Sequence, residues 1–152
     1  MPAQGVSFCS LGNTVKIREF QTGVAELING IEELVQGGCK AFAEDSLTIQ
    51  NDVKNALTTA AGVAIAVTTP ELTRNGDAAD CIPCDSPMVI KVMEMPALNR
   101  ANPGHLTVMD AAEIIARELD DSQFCFNQIR QTVDERSGIL TAEINFSTTI
   151  TF

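Results

Sequence analysis

The chain has 152 residues and a mass of 16.3 kDa, enough for one domain that buries about two-thirds of the surface its unfolded form exposes, and too little for a two-domain enzyme. Twenty acidic residues against ten basic ones leave a net charge of -10, which repels phosphate backbones and argues against a sequence-specific reader of nucleic acid. Phe is the only aromatic residue type, at seven positions, so the Trp and Tyr that build stacking platforms and cation cages are missing.

Met1 to Lys16 carry no basic start followed by an apolar run, so they do not read as a secretory signal. The longest apolar run, Ala60 to Val67, is eight residues, against the roughly 20 that span a bilayer as a helix. Cytoplasmic residence without a membrane is the expectation. Five cysteines, Cys9, Cys39, Cys81, Cys84 and Cys125, form an odd and scattered set that reads as reduced thiols rather than a disulfide framework. Asn145-Phe146-Ser147 matches a glycosylation acceptor, but it falls inside a strand pattern and is discounted.

In chain order, residues 1–13 read as a flexible arm of the single domain 1–152. From Val15 to Gln36 the apolar positions Ile17, Phe20, Val24, Leu27, Ile28, Ile31, Leu34 and Val35 recur at three and four, predicting one long amphipathic helix. Asn13 or Thr14 is its expected N-cap, and Gly37-Gly38 supplies the left-handed residue that ends it. A second helix is predicted over Leu47 to Thr59, capped by Asp45 or Ser46, with Ile49, Val53, Ala56 and Leu57 on one face. Val63 to Thr69 is a β-branched strand stopped by Pro70. Glu71 to Pro87 then reads as a seventeen-residue loop, long enough to suggest a role.

Met88 to Met95 is the next strand, followed by an irregular stretch from Pro96 to Leu106. Thr107, with Asp110 three positions on, is a capping-box-like start to a third helix that buries Val108, Ala111, Ala112, Ile115 and Leu119 and ends at Asp120-Asp121. Ser122 to Val133 is a strand, and Asp134 to Gly138 a hairpin loop. Ile139 to Phe152 closes the chain with a period of two: Leu140, Ala142, Ile144, Phe146, Ile150 and Phe152 are apolar, whereas Thr141, Glu143, Asn145, Ser147, Thr149 and Thr151 are polar.

The order α-α-β-β-α-β-β predicts an α+β fold, an antiparallel or mixed sheet of about four strands with helices packed on one face. Fourteen residues of final strand would run on the order of 48 Å, longer than such a domain needs, which makes that strand a candidate for pairing with a neighbouring chain.

Chemical motifs are sparse. Cys81-Ile82-Pro83-Cys84 has the spacing of a redox dithiol or half a zinc site, but it lies in a loop beside Asp80 and Asp85, whose charges oppose thiolate formation. The remaining candidate ligands, Cys9, Cys39, Cys125 and His105, have no second paired spacing. His105, the only histidine, precedes a helix with no nucleophile elbow nearby and reads as a solvated residue. The acids Asp110, Glu113, Glu118, Asp120 and Asp121 read as a solvated face rather than a cation site. Asp120 and Asp121 nevertheless oppose the helix dipole, which points to some other reason for them that the sequence does not name. No catalytic residue, cofactor site or phosphate-binding glycine loop is identified.

The stretch Pro87-Met88-Val89-Ile90-Lys91-Val92-Met93-Glu94-Met95-Pro96-Ala97-Leu98-Asn99-Arg100, followed by the Ala-rich helix over Asp110 to Leu119 and two closing strands, resembles the tail terminator or tail completion proteins of long-tailed bacteriophages. The likeness extends over 14–152 by element order and over 87–120 by wording. It implies a non-enzymatic virion protein, assembled in the host bacterial cytoplasm, that forms a homo-oligomeric ring, commonly a hexamer, on the tail tube and meets the head connector. The acidic balance suits a channel through which DNA must slide without sticking. Ring contacts are expected from Asn75, Asp77 and Asp80 in the first loop, Asn99 and Arg100 in the second, and Thr141, Glu143 and Asn145 on the last strand. The helices before the first strand and the cysteine loop have no counterpart in that pattern. A second reading, in another class, is a small cytoplasmic binding or redox module that uses Cys81 and Cys84.

Overall fold

The computed structural model describes residues 16–44, 49–58, 63–68, 71–74, 83–96, 106–120 and 124–151. They form α1 (Ile17–Asn29), α2 (Glu32–Gln36), β1 (Lys40–Ala43), α3 (Ile49–Thr58), β2 (Val63–Val67), β3 (Thr73–Arg74), β4 (Pro83–Glu94), α4 (Val108–Leu119), β5 (Phe124–Val133) and β6 (Leu140–Thr151). The expected α+β class holds. The sheet is mixed and has six strands rather than about four, in the order β1-β2-β4-β6-β5, with β3 pairing beside β4. Only β1 and β2 run parallel; every other pairing is antiparallel.

The expected long first helix breaks at Gly30-Ile31, where Ile31 turns to ψ 112° and α2 restarts. The break follows from a tether. Asn29 Nδ2 donates to Ala41 O at 2.9 Å, and its Oδ1 accepts from Ala41 N at 2.8 Å. The last residue of α1 is thereby held to the outer edge of β1, while the bend keeps Ile31 and Leu34 in the core. Gly38 closes α2 at φ 76°, the left-handed conformation expected of the Gly37-Gly38 pair. Lys16 rather than Asn13 or Thr14 precedes the first helical residue and makes no side-chain cap; Asn13, Thr14 and the arm 1–13 lie outside the described residues.

Two strands escape the sequence pattern. β1 is four residues between a Gly-Gly pair and an acidic segment, too short to show a period. β3 is two residues, and with β4 it takes up both ends of the expected 71–87 loop. β4 starts at Pro83, five residues before the expected Met88. Pro83 and Pro87 read as strand breakers, yet Pro87 stands at a point where β4 is paired on one side only, by Ser147, between the segments bonded to β3 and to β2. A proline there costs no ladder bond.

One core unites the inner faces of β1, β2, β4, β5 and β6 with α1, α2 and α4. Ala142, Ile144 and Phe146, the inward positions of β6, are fully buried, as the period of two requires. Four of the seven Phe meet at one end of this core, with Phe20–Phe124, Phe124–Phe146 and Phe126–Phe146 ring centroids 6.0, 6.4 and 6.1 Å apart.

The expectation of helices on one face only is corrected by α3. It packs on the opposite face, over Ala66 and Met93, whose strand neighbours Ile65 and Val92 point into the main core. The reason is topological: α3 is the crossover between parallel strands β1 and β2, and such a helix must cover one face of their sheet. The final strand does not overshoot its sheet: β4 is equally long and pairs with β6 from end to end, while β5 covers the other side from Leu140 to Thr148 and leaves 149–151 with no strand partner on that side among the described residues.

Candidate functional site

The outward residues of β6 form the middle of a polar face. Thr141 stands between Met93 and Thr132, Glu143 between Lys91 and Arg130, and Asn145 between Val89 and Gln128. Arg130 Nη2 lies 3.5 Å from Glu143 Oε1, an exposed pair that contributes about 0 to 1 kcal/mol. A β-bulge at Asn127 lets its Nδ2 donate to Ser147 Oγ at 2.7 Å. Thr141, Glu143 and Asn145 are therefore brought onto one accessible face, each half-buried. Asn75, Asp77, Asp80, Cys81, Asn99, Arg100 and His105 lie outside the described residues. Cys84 sits in β4, opposite Ile150 and Arg74, rather than in a loop.

Beside this polar face runs an apolar groove of about 580 Å³ that the sequence reading missed. Its walls are Ile49, Val53 and Leu57 of α3, its floor is Ala66 and Met93, and Met95 and Ile139 close one end. Glu44, Lys54 and Lys91 stand on its border. The missed signal was in β2: an uninterrupted apolar run reads as a strand covered on both faces, with Ala64 and Ala66 small enough to admit a helix.

Two of the buried polar side chains, Glu94 and Gln21, bond to backbone groups of neighbouring elements. Glu94, fully buried at the end of β4, accepts from Val108 N at 3.2 Å and so meets the first turn of α4. The expected capping box adds to it: Asp110 N donates to Thr107 Oγ1 at 3.1 Å, and Thr107 N to Asp110 Oδ2 at 3.2 Å. A carboxylate at this helix end also complements the dipole. Gln21 Nε2, in the core, donates to Val67 O at 2.7 Å. Burial, aided by the charge of Glu94, pushes the Cys39 thiol up to about 11. At neutral pH it is a protonated, inert thiol. Cys125 is a free, exposed thiol on the polar face.

Three of the acids on and after α4 have separate contacts, and Asp121 lies outside the described residues. Asp110 serves the cap, Glu113 accepts from Arg117 Nη2 at 2.6 Å, and Asp120 Oδ1 accepts from Phe126 N at 3.1 Å. That last bond gives Asp120 a local reason to stand at an unfavourable helix end. No group of three or more metal-ligating side chains occurs among the described residues. No protein-family model and no curated protein matches the chain.

Proposed function

We propose that the protein is a structural ring subunit of a phage-type virion, similar to a tail terminator, which caps the tail tube and meets the head connector. The observation that carries this reading is the succession of a long strand ending ahead of Pro96, a capped Ala-rich helix and a terminal hairpin in an α+β domain, here β4, α4, β5 and β6. This is the element order on which the resemblance over 14–152 rests. The net charge of -10 supports the same reading, because a ring that surrounds DNA must let it slide. In this role the protein works as a surface, with the polar outer face of β4, β6 and β5 and the groove beside α3 as its contact areas, and the assembled tail as its location.

Sedimentation equilibrium and negative-stain imaging test the proposal. Rings on the order of six subunits that bind the ends of tail tubes are the expected result, the closed cyclic symmetry being the usual outcome of repeated head-to-tail contact. A monomer at every concentration, holding zinc or cycling a disulfide through Cys81 and Cys84, would overturn it in favour of the redox module.

A further inference from the structure

Charge is unevenly shared between the two layers of the sheet. In the helix layer, Glu26, Glu32, Glu33 and Glu118 border one shallow depression together with Leu27, Gly30 and Ile31. None of the four carboxylates has an ion-pair partner among the described residues. Leu27 lies among them 49% exposed, one of the few large apolar side chains left open to water. Glu32 accepts a hydrogen bond from Gln36 Nε2 at 3.1 Å, but four acids with no cation beside them among the described residues, gathered around an exposed Leu, are unfavourable in a lone subunit, since like charges repel and the Leu remains hydrated.

The opposite layer supplies the complement. Three of the four lysines, Lys40, Lys54 and Lys91, stand on the α3 face: Lys54 and Lys91 border the apolar groove, and Lys40 lies over the ring of Phe42 beside it. The groove is lined by Ile49, Val53, Leu57 and Met93, and its border carries more cations than anions in a chain with twice as many acids as bases.

We infer that the acidic patch around Leu27 of one subunit docks into the lysine-bordered groove beside α3 of a second copy of this chain. Leu27 enters the apolar groove, and Glu26, Glu32 and Glu33 approach Lys54 and Lys91. The two surfaces are different and lie on opposite layers, so the contact is head-to-tail and each subunit keeps one patch and one groove open for the next. This deepens the ring reading by naming the surfaces that build the ring.

Two variants separate the inference from that reading. Leu27→Asp spoils the patch and leaves the groove; Val53→Arg spoils the groove and leaves the patch. Each alone should run as a 16.3 kDa monomer in native mass spectrometry, while an equimolar mixture should give a heterodimer and nothing larger, because only one competent interface remains. Thermal melting of each variant within a few degrees of the parent shows that the fold is intact. Zero-length carbodiimide coupling of the unaltered protein should join Lys54 or Lys91 of one copy to Glu26, Glu32, Glu33 or Glu118 of another. Rings that survive both variants, with cross-links elsewhere, overturn the inference and leave the ring reading standing. Open filaments carrying the expected cross-links overturn the ring and uphold the interface. A monomer at all concentrations overturns both.

Discussion

Replacing Asn29 by Ala removes both hydrogen bonds that tie the end of α1 to Ala41, at 2.9 and 2.8 Å. A neutral bond contributes about 0.5 to 1.5 kcal/mol net, and at a sheet edge water can replace part of the loss, so the expected cost is about 1 to 2 kcal/mol. In a chain of this length that lowers the melting temperature by roughly 2 to 8 °C. Asn29→Asp is the sharper variant. Its carboxylate still accepts from Ala41 N but sets a second oxygen against Ala41 O, whereas the protonated acid can donate to that carbonyl. The pKa of the introduced acid is therefore raised by folding. For a raised pKa, stability is full below the unfolded value, near 3.9, and is lost as pH rises through the folded one. Urea unfolding must be followed by far-UV circular dichroism, since the chain has no Trp or Tyr. An Ala variant within about 0.5 kcal/mol of the parent, together with an Asp variant whose deficit is the same at pH 4 and pH 7, would refute the tether.

Phe146→Ala, at the meeting point of three aromatic side chains, should cost about 3 to 5 kcal/mol in the same denaturation assay. Gly138→Ala should cost about 1 kcal/mol although its Cβ would meet nothing within 4 Å, because φ of 72° alone penalises a side chain. A thiol reagent at pH 8 should label Cys125 in the folded protein and reach Cys39 only after unfolding, as read by mass spectrometry of digests. Asp134, which accepts from Arg136 N at 3.0 Å, is held below its usual carboxylate range by that backbone bond and by Ser137. Its contribution is present above the ordinary value and lost as pH falls through the folded one, so an NMR titration should place its midpoint lower than in an Asp-containing peptide.

Elements whose own residues specify them were legible in the sequence. The Thr107–Asp110 box, the Asp134–Gly138 turn and the period of two in β6 each rest on neighbours close in the chain, and each stands where expected. What escaped depends on distant partners. Nothing within Lys40–Ala43 identifies a strand until β2 lies beside it, and the proline-bearing start of β4 is a strand because β6 supplies a partner along its whole length. The side on which α3 packs is a property of a parallel crossover, which its amphipathic stripe cannot express. The groove was invisible for the same reason, being made by α3, β2 and β4 together. Of the expected contact residues, Thr141, Glu143 and Asn145 could be placed on one face from their alternation alone.

The position of β6 between β4 and β5 has a consequence for synthesis. Leu140 lies opposite Glu94 and Thr151 opposite Pro83, separations of 46 and 68 residues, so a ribosome delivers β4 long before the strand that covers its far side. During that interval the nascent chain presents a strand rich in Val, Ile and Met with one border unpaired, a template for association with other nascent chains. A premature stop within β6 would therefore do more than shorten the protein. It would fix the chain in its most adhesive intermediate, and such truncations should accumulate as insoluble material rather than as slightly weakened subunits.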